Sequence, residues 1–505
     1  MHFVFYPQHE YACPHVRHCP HLGGAALGTL VRAADEQTEW YDALLRQVDA
    51  LRQENTAKYH KIEELTARVE QLERELKAER QKQFQRKSEQ PAEEQAEGGG
   101  LESPKKRGAP LGHPGWYRKQ PEAFDDTVLV PAPSRCPHCG GRVKARPDLP
   151  AEEHRQEDWI DGRKVAVCYR HEAGRCTHWK CRRWVQQAGP GELLRAMIGP
   201  NLRAASLFLQ YDIGLSTRKV VRAMAGLAQF DFVPASLLRF AQEAAQKAGP
   251  LAQDVVEKLR ACESNHADET YYRINGQPAY VWFHGNEDLA HFYITGTRAG
   301  KISRKILGKD YRGGLVTDCY SGYNRHVTPL KQKCLAHLKR AAVDWEKLLP
   351  PEAKDSRAFF EAVRHWVKRG CRWHRKWRNR EGAEKDAEAD WLRQELDRLE
   401  KMPTDSPRAL RLQKRLRRHH DEWLTFLDHP GVAPTNNLAE QALRAVVILR
   451  KLTFGSRTKA GARRLGTMLT VIETAKRQSQ SVMKFLVGLF TLPPNQAIRA
   501  MYARP

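Results

Sequence analysis

The sequence predicts a multi-domain α+β protein in which a strand-rich core lies between helical regions. Its 505 residues correspond to about three domains of ordinary size. Apolar residues recur with a heptad spacing between positions 44 and 76, and aromatic and β-branched residues alternate between positions 265 and 295. Because 41% of the residues are hydrophobic, the chain can bury folded cores.

The charge balance indicates a polyanionic partner. The chain has 84 Lys and Arg against 60 Asp and Glu, a net charge of +24, which favours nucleic acid or an acidic membrane surface. It contains no 18-residue apolar run and no apolar stretch typical of a secretory signal. Its 11 cysteines are too sparse for a disulfide scaffold, and their close pairs indicate metal binding in a reducing cytosol. We therefore expect a cytoplasmic protein that does not associate with membranes.

Residues 1–34 and 35–88 predict two different N-terminal segments. The first contains the string CPHVRHCPH, which is either a second zinc site or a solvated polar tail. The narrow 4-3-4-3 apolar stripe of the second predicts a leucine zipper that joins two parallel chains, rather than one amphipathic helix packed on its own chain. The predicted dimerisation residues are Val48, Leu51, Asn55, Ile62, Leu65, Val69, Leu72 and Leu76.

Residues 89–125 are rich in Gly, Pro and charge, which predicts a flexible linker. Its basic residues Lys105, Lys106 and Arg107 either contact DNA phosphates or belong to a plain tether.

Residues 126–188 predict a small zinc-binding β region. Cys136 and Cys139 form one close pair, and Cys176 and Cys181 form a looser one after a strand-rich stretch. Two thiolate pairs suit a structural tetrahedral Zn²⁺ site. His178 or Cys168 is an alternative for one ligand.

Residues 189–262 have a helical pattern throughout. Ser216 is placed to begin one helix and Pro234 to begin the next, with a short Gly-containing turn between them. Such a pair is either a DNA-reading helix-turn-helix or two ordinary packed helices.

Residues 263–348 and 431–478 predict the two parts of an RNase H-like α/β core. Three antiparallel strands, with a turn at Asn275-Gly276, precede a helix and a buried strand. Residues 479–505 predict a C-terminal helical tail.

Three acidic residues of this core are candidates for catalysis. Asp268 lies in the first strand, Asp318 at the end of the fourth, and Glu440 one turn inside a later helix that begins near Asn436. Because neighbouring strand residues point to opposite faces, only one of Asp268 and Glu269 can line a given pocket. An oxygen-only ligand set suits two Mg²⁺ or Mn²⁺ ions, which promote phosphodiester displacement.

The strings HADETYYRINGQPAYVW, GLVTDCYSGYN, CLAHLKR and TNNLAEQALRAVVILRKLTFGS resemble the large transposase of the insertion-sequence-66 type. This resemblance covers most of the chain. It implies a bacterial DDE enzyme whose triad is Asp268, Asp318 and Glu440. The N-terminal Cys/His-rich segment departs from the family pattern, as does the four-residue spacing between Cys176 and Cys181.

The resemblance also accounts for the long stretch from residue 318 to residue 440. It implies a helical insertion over residues 349–430 that separates the two parts of the core. Its string RGCRWHRKWRNR mixes tryptophans with cations, as in base-stacking DNA sites, although the tryptophans would equally suit a core with solvated arginines around it. Cys334 and His337 fit a packed thiol and histidine better than a metal site. The predicted DNA contacts here and beyond Glu440 are Arg372, Trp373, Arg375, Trp377, Arg378, Arg450 and Lys451.

The resulting hypothesis is a DDE transposase that cleaves transposon ends and transfers the 3′-OH strand into target DNA. Its expected partners are double-stranded terminal repeats and target DNA at the bacterial nucleoid, a second copy of the chain, and accessory transposition proteins. The alternatives are a non-catalytic DNA-binding regulator or inactivated remnant, and a structure-specific nuclease.

Overall fold

The computed structural model describes residues 118–326 and 328–503, together with helical residues 48–51, 53–58, 60–61, 64–65 and 71. The chain divides into two compact units, residues 1–115 and 116–505. In the first unit, Val48, Leu51 and Leu65 are exposed on the single chain, so the zipper stays a prediction. The following predicted features lie outside the described residues: Ile62, Val69, Leu72, Leu76, the Cys/His-rich segment, and the basic residues Lys105, Lys106 and Arg107.

The second unit contains strands that form three sheets. The strands are β1 Asp126–Val130, β2 Val143–Ala145, β3 Glu152–Ile160, β4 Arg163–His171, β5 Gly174–Cys176, β6 Trp184–Val185, β7 Ser264–Ile274, β8 Gln277–Gly285, β9 Ala290–Thr295, β10 Gly314–Thr317 and β11 Leu330–Lys333. The sheet orders are β1-β4-β3, β2-β5-β6 and β11-β10-β7-β8-β9.

Helices make up most of the remainder of this unit. They are α1 Pro200–Leu207, α2 Thr217–Ala228, α3 Pro234–Ala261, α4 Lys301–Leu307, α5 Leu335–Glu346, α6 Lys354–Trp377, α7 Ala383–Lys401, α8 Pro407–Arg418, α9 Thr425–Asp428, α10 Asn437–Thr453, α11 Lys459–Arg477, α12 Val482–Thr491 and α13 Pro494–Tyr502. The structure is therefore a mixed α+β fold. None of the described helices has the length and apolar character needed to cross a bilayer.

The five-stranded sheet is mixed. Strands β7, β8 and β9 are antiparallel neighbours, whereas β10 and β11 run parallel to β7. The β7–β8 turn is at Asn275 and Gly276, which both have positive φ (52° and 73°), as a tight two-residue hairpin requires. The sequence pattern predicted this turn.

Helices cover both faces of the five-stranded sheet. Tyr272, Val281 and Phe283 pack with residues of α10 and α11 on one face. Ala267 and Trp282 belong to a second core, which includes residues of α1, α3 and α4 on the other face. This alternation follows from the strand period of two.

Helix α3 is a packed core helix. Leu237, Ala241, Ala244 and Leu251 are fully buried along its length. Pro234 is its first residue and Ser216 immediately precedes α2, as the sequence predicted, although the Ser216 side chain makes no capping hydrogen bond. The pair thus packs as ordinary helices, and its contact with DNA stays a prediction.

Helices α5 to α9 enclose a separate core. Large side chains from several of them meet there, among them Phe359, Trp366, Leu392, Leu412 and Phe426. Because this core occupies the chain between β11 and α10, it forms a helical insertion between two parts of the sheet domain.

Candidate active site

Asp268 and Asp318 are carried by neighbouring parallel strands. In the β7–β10 pair, His266 lies opposite Val316. Asp268 is two residues beyond His266, and Asp318 is two residues beyond Val316. Since parallel neighbours run in the same direction, both acids lie toward the same end of the sheet.

Asn436 holds the start of α10 against β7. Its side-chain Nδ2 donates to the Ala267 carbonyl oxygen at 2.9 Å, and its Oδ1 lies 3.1 Å from His266 Nδ1. Its backbone N–H donates to Cys334 Sγ at 3.0 Å. Glu440 is one turn farther along the helix, and its N–H donates to the Asn436 carbonyl oxygen. Asn436 thereby joins the helix of Glu440 to the strand of Asp268.

The charges of these acids act on one another. Burial, followed by the negative charges of Glu269 and Asp318 and, more weakly, Glu440, raises the pKa of Asp268 to about 7. The Glu269 N–H donates to Asp268 Oδ1 at 2.9 Å and opposes this rise. An acid with this pKa indicates like charges close together in a partly desolvated site.

The strand register separates Asp268 from Glu269. Asp268 lies opposite Phe283, on the face that α10 covers, whereas Glu269 lies opposite Trp282 on the other face. There Glu269 accepts hydrogen bonds from Arg298 Nε at 2.8 Å and Tyr323 OH at 2.5 Å. Asp268 is therefore the one of the pair that faces the helix of Glu440.

Helix α5 places two basic groups beside Glu440. His337 Nδ1 lies 3.5 Å from Glu440 Oε1, and Arg340 Nη2 donates to Oε2 at 3.3 Å. The sequence analysis missed Arg340, although its spacing of three from His337 puts both on one helix face.

Cys334, His337 and Glu440 have ligand atoms within 4.8 Å of one another. Burial raises the pKa of Cys334 to about 11, so its sulfur stays a neutral thiol at ordinary pH. Because a bound metal ion would itself lower this pKa, the packed thiol that the sequence favoured over a metal site stays a prediction.

The predicted phosphate contacts after Glu440 have different surroundings. Arg450 is half-buried, and its Nη1 donates to the Tyr271 carbonyl oxygen on β7. Lys451 is exposed. Arg450 thus helps to hold α10 on the sheet, while Lys451 faces solvent.

The helical insertion corrects the expectation for its tryptophans. Trp373 and Trp377 are only 1% and 7% exposed, and their indole N–H groups donate to Lys385 O at 3.0 Å and Glu388 Oε2 at 3.1 Å. Because their rings fill the insertion core, they are not available to stack on bases.

The arginines around these tryptophans face outward. Arg372 and Arg375 are exposed on α6, and Arg378 is exposed directly after its end. Arg378 lies 3.7 Å from Glu287. The helix therefore matches the second of the two interpretations that the sequence left open, a tryptophan core with solvated arginines around it, and contact of these arginines with DNA stays a prediction.

The four predicted zinc ligands meet beside the β2-β5-β6 sheet. The sulfur atoms of Cys136, Cys139, Cys176 and Cys181 all lie within 4.8 Å of one another. Neither Cys168 nor His178 belongs to this group. Desolvation raises the pKa of the Cys136 thiol, but hydrogen bonds from the backbone N–H groups of His138 and Cys139 outweigh it and lower this pKa to about 7. These four sulfurs form a set that suits tetrahedral Zn²⁺.

Comparison with known proteins identifies the family. The profile of the family described as "Transposase IS66 family" matches residues 195–464, which is more than half of the chain and spans Asp268, Asp318 and Glu440. The chain is also similar to the uncharacterized protein y4hP of Sinorhizobium fredii (strain NBRC 101917 / NGR234). The two are 23% identical over 419 residues, which cover 75% of this chain and 74% of that protein. The chain therefore belongs to the IS66 family of transposases.

Proposed function

We propose that this transposase is a DDE enzyme that hydrolyses the phosphodiester at a transposon end and joins the freed 3′-OH to target DNA. The observation that carries the proposal is the position of Asp268, Asp318 and Glu440. Asp268 lies on β7, Asp318 directly follows the adjacent parallel strand β10, and Glu440 is on a helix anchored to β7. Burial and the charges of Glu269, Asp318 and Glu440 raise the pKa of Asp268.

The sheet supports an RNase H-like core. Its order is β11-β10-β7-β8-β9, with three antiparallel strands followed in sequence by two that run parallel to the first. The predicted catalytic acids lie on the central strand, after its parallel neighbour, and on the helix that follows the insertion.

The ligand chemistry of these three acids fits Mg²⁺ or Mn²⁺. Carboxylate oxygens are the ligands that these ions prefer, and a divalent cation would offset the burial and the like charges that raise the pKa of Asp268. Among the described residues, the groups whose ligand atoms all lie within 4.8 Å of one another do not include this triad. Asp268, Asp318 and Glu440 would hold two such ions, which when bound supply charge stabilisation for phosphodiester displacement.

Other residues of the chain position these acids. Asn436 fixes the start of α10, and Arg340 and His337 contact the Glu440 carboxylate from α5. On the opposite face of β7, Arg298 and Tyr323 hold Glu269 away from the cluster. These contacts limit how far the Glu440 and Glu269 carboxylates can move before DNA binds.

A basic surface leads from this site across the helical insertion. Arg340 contacts Glu440, and its neighbour Lys339 is exposed. Burial raises the pKa of Cys371, and the positive charges of Arg375 and Lys339 oppose this rise. Both cations therefore lie near the Cys371 thiol. Lys368 and Arg372 extend the exposed α6 face. We expect this surface to hold DNA phosphates, together with Arg378 and Lys451.

The remaining segments have supporting roles in this proposal. The zipper of residues 35–88 pairs two copies of the chain, so that two transposon ends are handled together. The four-cysteine cluster holds a structural Zn²⁺, and its region, together with helices α1 to α3, recognises terminal repeats. The enzyme would act on DNA of the bacterial nucleoid.

The test is Mn²⁺-dependent strand joining by the full chain on DNA that carries the terminal repeats. We expect Asp318→Asn to lower joining about 100-fold or more, because a ligand of the charge-stabilising ions is lost. Asp310→Asn, at an exposed aspartate before β10, is the matched control and should keep wild-type activity.

The labelled products distinguish the other functions. A nuclease would cut the DNA without joining it, and a regulator would bind with a steep salt dependence but release no 3′-OH. Wild-type joining by Asp318→Asn would overturn the proposed catalytic site.

A further inference from the structure

An unusual row of side chains crosses the β2-β5-β6 sheet beside the four cysteines. Lys144 on β2 lies opposite Arg175 on β5, which lies opposite Trp184 on β6. All three residues are exposed. Like charges directly opposite one another destabilise an antiparallel pair. Among the described residues, neither Lys144 nor Arg175 forms an ion pair with an acid, so the row presents uncompensated positive charge.

The same cations line a groove. Its volume is about 480 Å³, and its charged lining residues include Lys144, Arg175, Arg146 and Arg182. Asp148 also lines it, but Arg146 holds that carboxylate at 2.5 Å. The groove therefore has a positive surplus suited to a polyanion.

Two tryptophans close in sequence to the groove lining have their rings in solvent. Trp184 lies opposite Arg175 across β5 and β6, and Trp179 is two residues after Thr177, which lines the groove. Trp179 is 71% exposed and Trp184 is 53% exposed, unlike the buried indoles of the helical insertion. The Lys180 ammonium lies 4.8 Å from the Trp179 ring centroid, and the Arg175 guanidinium lies 5.7 Å from that of Trp184. Large exposed aromatic rings next to cations are typical of surfaces that stack nucleobases.

We propose that this surface, which we name the ribbon face, binds unpaired nucleotides of DNA. It comprises Lys144, Arg146, Arg175, Trp179, Arg182 and Trp184. The cations hold the phosphates and the indoles stack on bases. Bases inside a duplex are already stacked on their neighbours, so exposed indoles favour single strands or the melted flank of a cleaved end. This inference rests on the proposed function only in that DNA is the substrate.

The test compares the zinc-loaded full chain binding a fluorescent 12-nucleotide oligo(dT) and a duplex of equal length, without added Mg²⁺ or Mn²⁺. We expect Trp184→Ala and Trp179→Ala each to weaken oligo(dT) binding about 5- to 100-fold, with smaller effects on the duplex. The phenylalanine variants should keep most of the affinity, since a phenyl ring still stacks.

Arg175→Ala should flatten the salt dependence of oligo(dT) binding by about 0.7 in log–log slope, as expected for one lost single-strand phosphate contact. Its matched control is Arg163→Ala, at an exposed arginine that begins β4, which should leave the slope unchanged. Circular dichroism and zinc content establish that each variant is folded.

The inference would be overturned if both tryptophan-to-alanine variants fold and bind oligo(dT) within twofold of the wild-type affinity. It would also be overturned if the variants lose as much affinity for the duplex as for the single strand. The strand-joining assay is a separate readout. Joining with unaffected oligo(dT) binding would refute the ribbon face alone, whereas absent joining with the expected binding losses would refute the catalytic proposal alone.

Discussion

The side-chain amide of Asn436 donates a hydrogen bond to the backbone carbonyl oxygen of Ala267 at 2.9 Å. Asn436 is fully buried, and Ala267 directly precedes Asp268. One side chain thus sets the separation between the strand of one predicted catalytic acid and the helix of another.

We expect Asn436→Ala to lower the free energy of unfolding by about 1–3 kcal/mol, because it leaves the buried Ala267 carbonyl without this donor. It should also reduce strand joining, since the first turn of α10 carries Glu440. The neighbouring Asn437 is exposed, so Asn437→Ala should change neither the free energy of unfolding nor strand joining. Denaturant unfolding measures the first quantity and the joining assay the second. If the two variants behave alike, Asn436 does not position α10.

Asp268 should make the metal-free protein less stable as the pH rises. Its pKa is about 7 in the folded chain and near 4 in an unfolded one, so between these values the folded state binds more protons. Stability therefore falls as the pH rises through this interval. We expect Asp268→Asn to raise the melting temperature at pH 8 and to have little effect at pH 4.

Added Mg²⁺ should restore the thermal stability that the wild-type protein loses at pH 8, because the cation neutralises the carboxylates as the proton does at lower pH. It should not stabilise Asp268→Asn in this way. Differential scanning fluorimetry at the two pH values, with and without Mg²⁺, measures this. A variant that melts with wild type at pH 8 in the metal-free buffer would show that burial and the neighbouring charges do not raise the pKa of Asp268.

Substitutions of two adjacent α6 residues, Arg372 and Trp373, should have different effects, one on DNA binding and the other on stability. Trp373 fills the insertion core, so Trp373→Ala should cost about 3–5 kcal/mol of unfolding free energy. Arg372 is exposed, so Arg372→Ala should change stability by less than about 0.5 kcal/mol but weaken duplex binding and lower its salt slope by about 1. Unchanged binding by Arg372→Ala would remove this arginine from the proposed DNA surface.

The four-cysteine cluster should hold one Zn²⁺. We expect elemental analysis to detect zinc in the wild-type chain and not in Cys181→Ser, because that variant lacks one of four sulfur ligands. Cys168 is buried on β4 and outside the cluster, so Cys168→Ser should keep the metal. Equal zinc loss in both variants would point to a different ligand set.

The zipper should control the oligomeric state. Leu51 is a predicted core position of the coiled coil and is exposed on the single chain, so Leu51→Glu should place charge in the dimer interface and yield monomers. Gln53→Glu, at an outward heptad position, is the control. Light scattering coupled to size-exclusion chromatography measures the mass, and a dimeric Leu51→Glu would refute pairing through this segment.

Local patterns in the sequence determined many elements of this fold. Alternation predicted β7, β8 and β9, Asn275-Gly276 predicted their first turn, and Pro234 predicted the start of α3. The short spacing within each cysteine pair likewise pointed to the sulfur cluster. These features depend on backbone preferences and side-chain periods over a few residues, which a single sequence contains.

Tertiary structure decided what depends on contacts between distant segments. The mixture of tryptophans and cations in α6 did not reveal that Trp373 and Trp377 face a core, because that depends on where α7 packs. Arg340 became recognisable only beside Glu440, a residue 100 positions later. The alternation of β7 required Asp268 and Glu269 to face opposite ways, but only the position of α10 determined which of them faces Glu440.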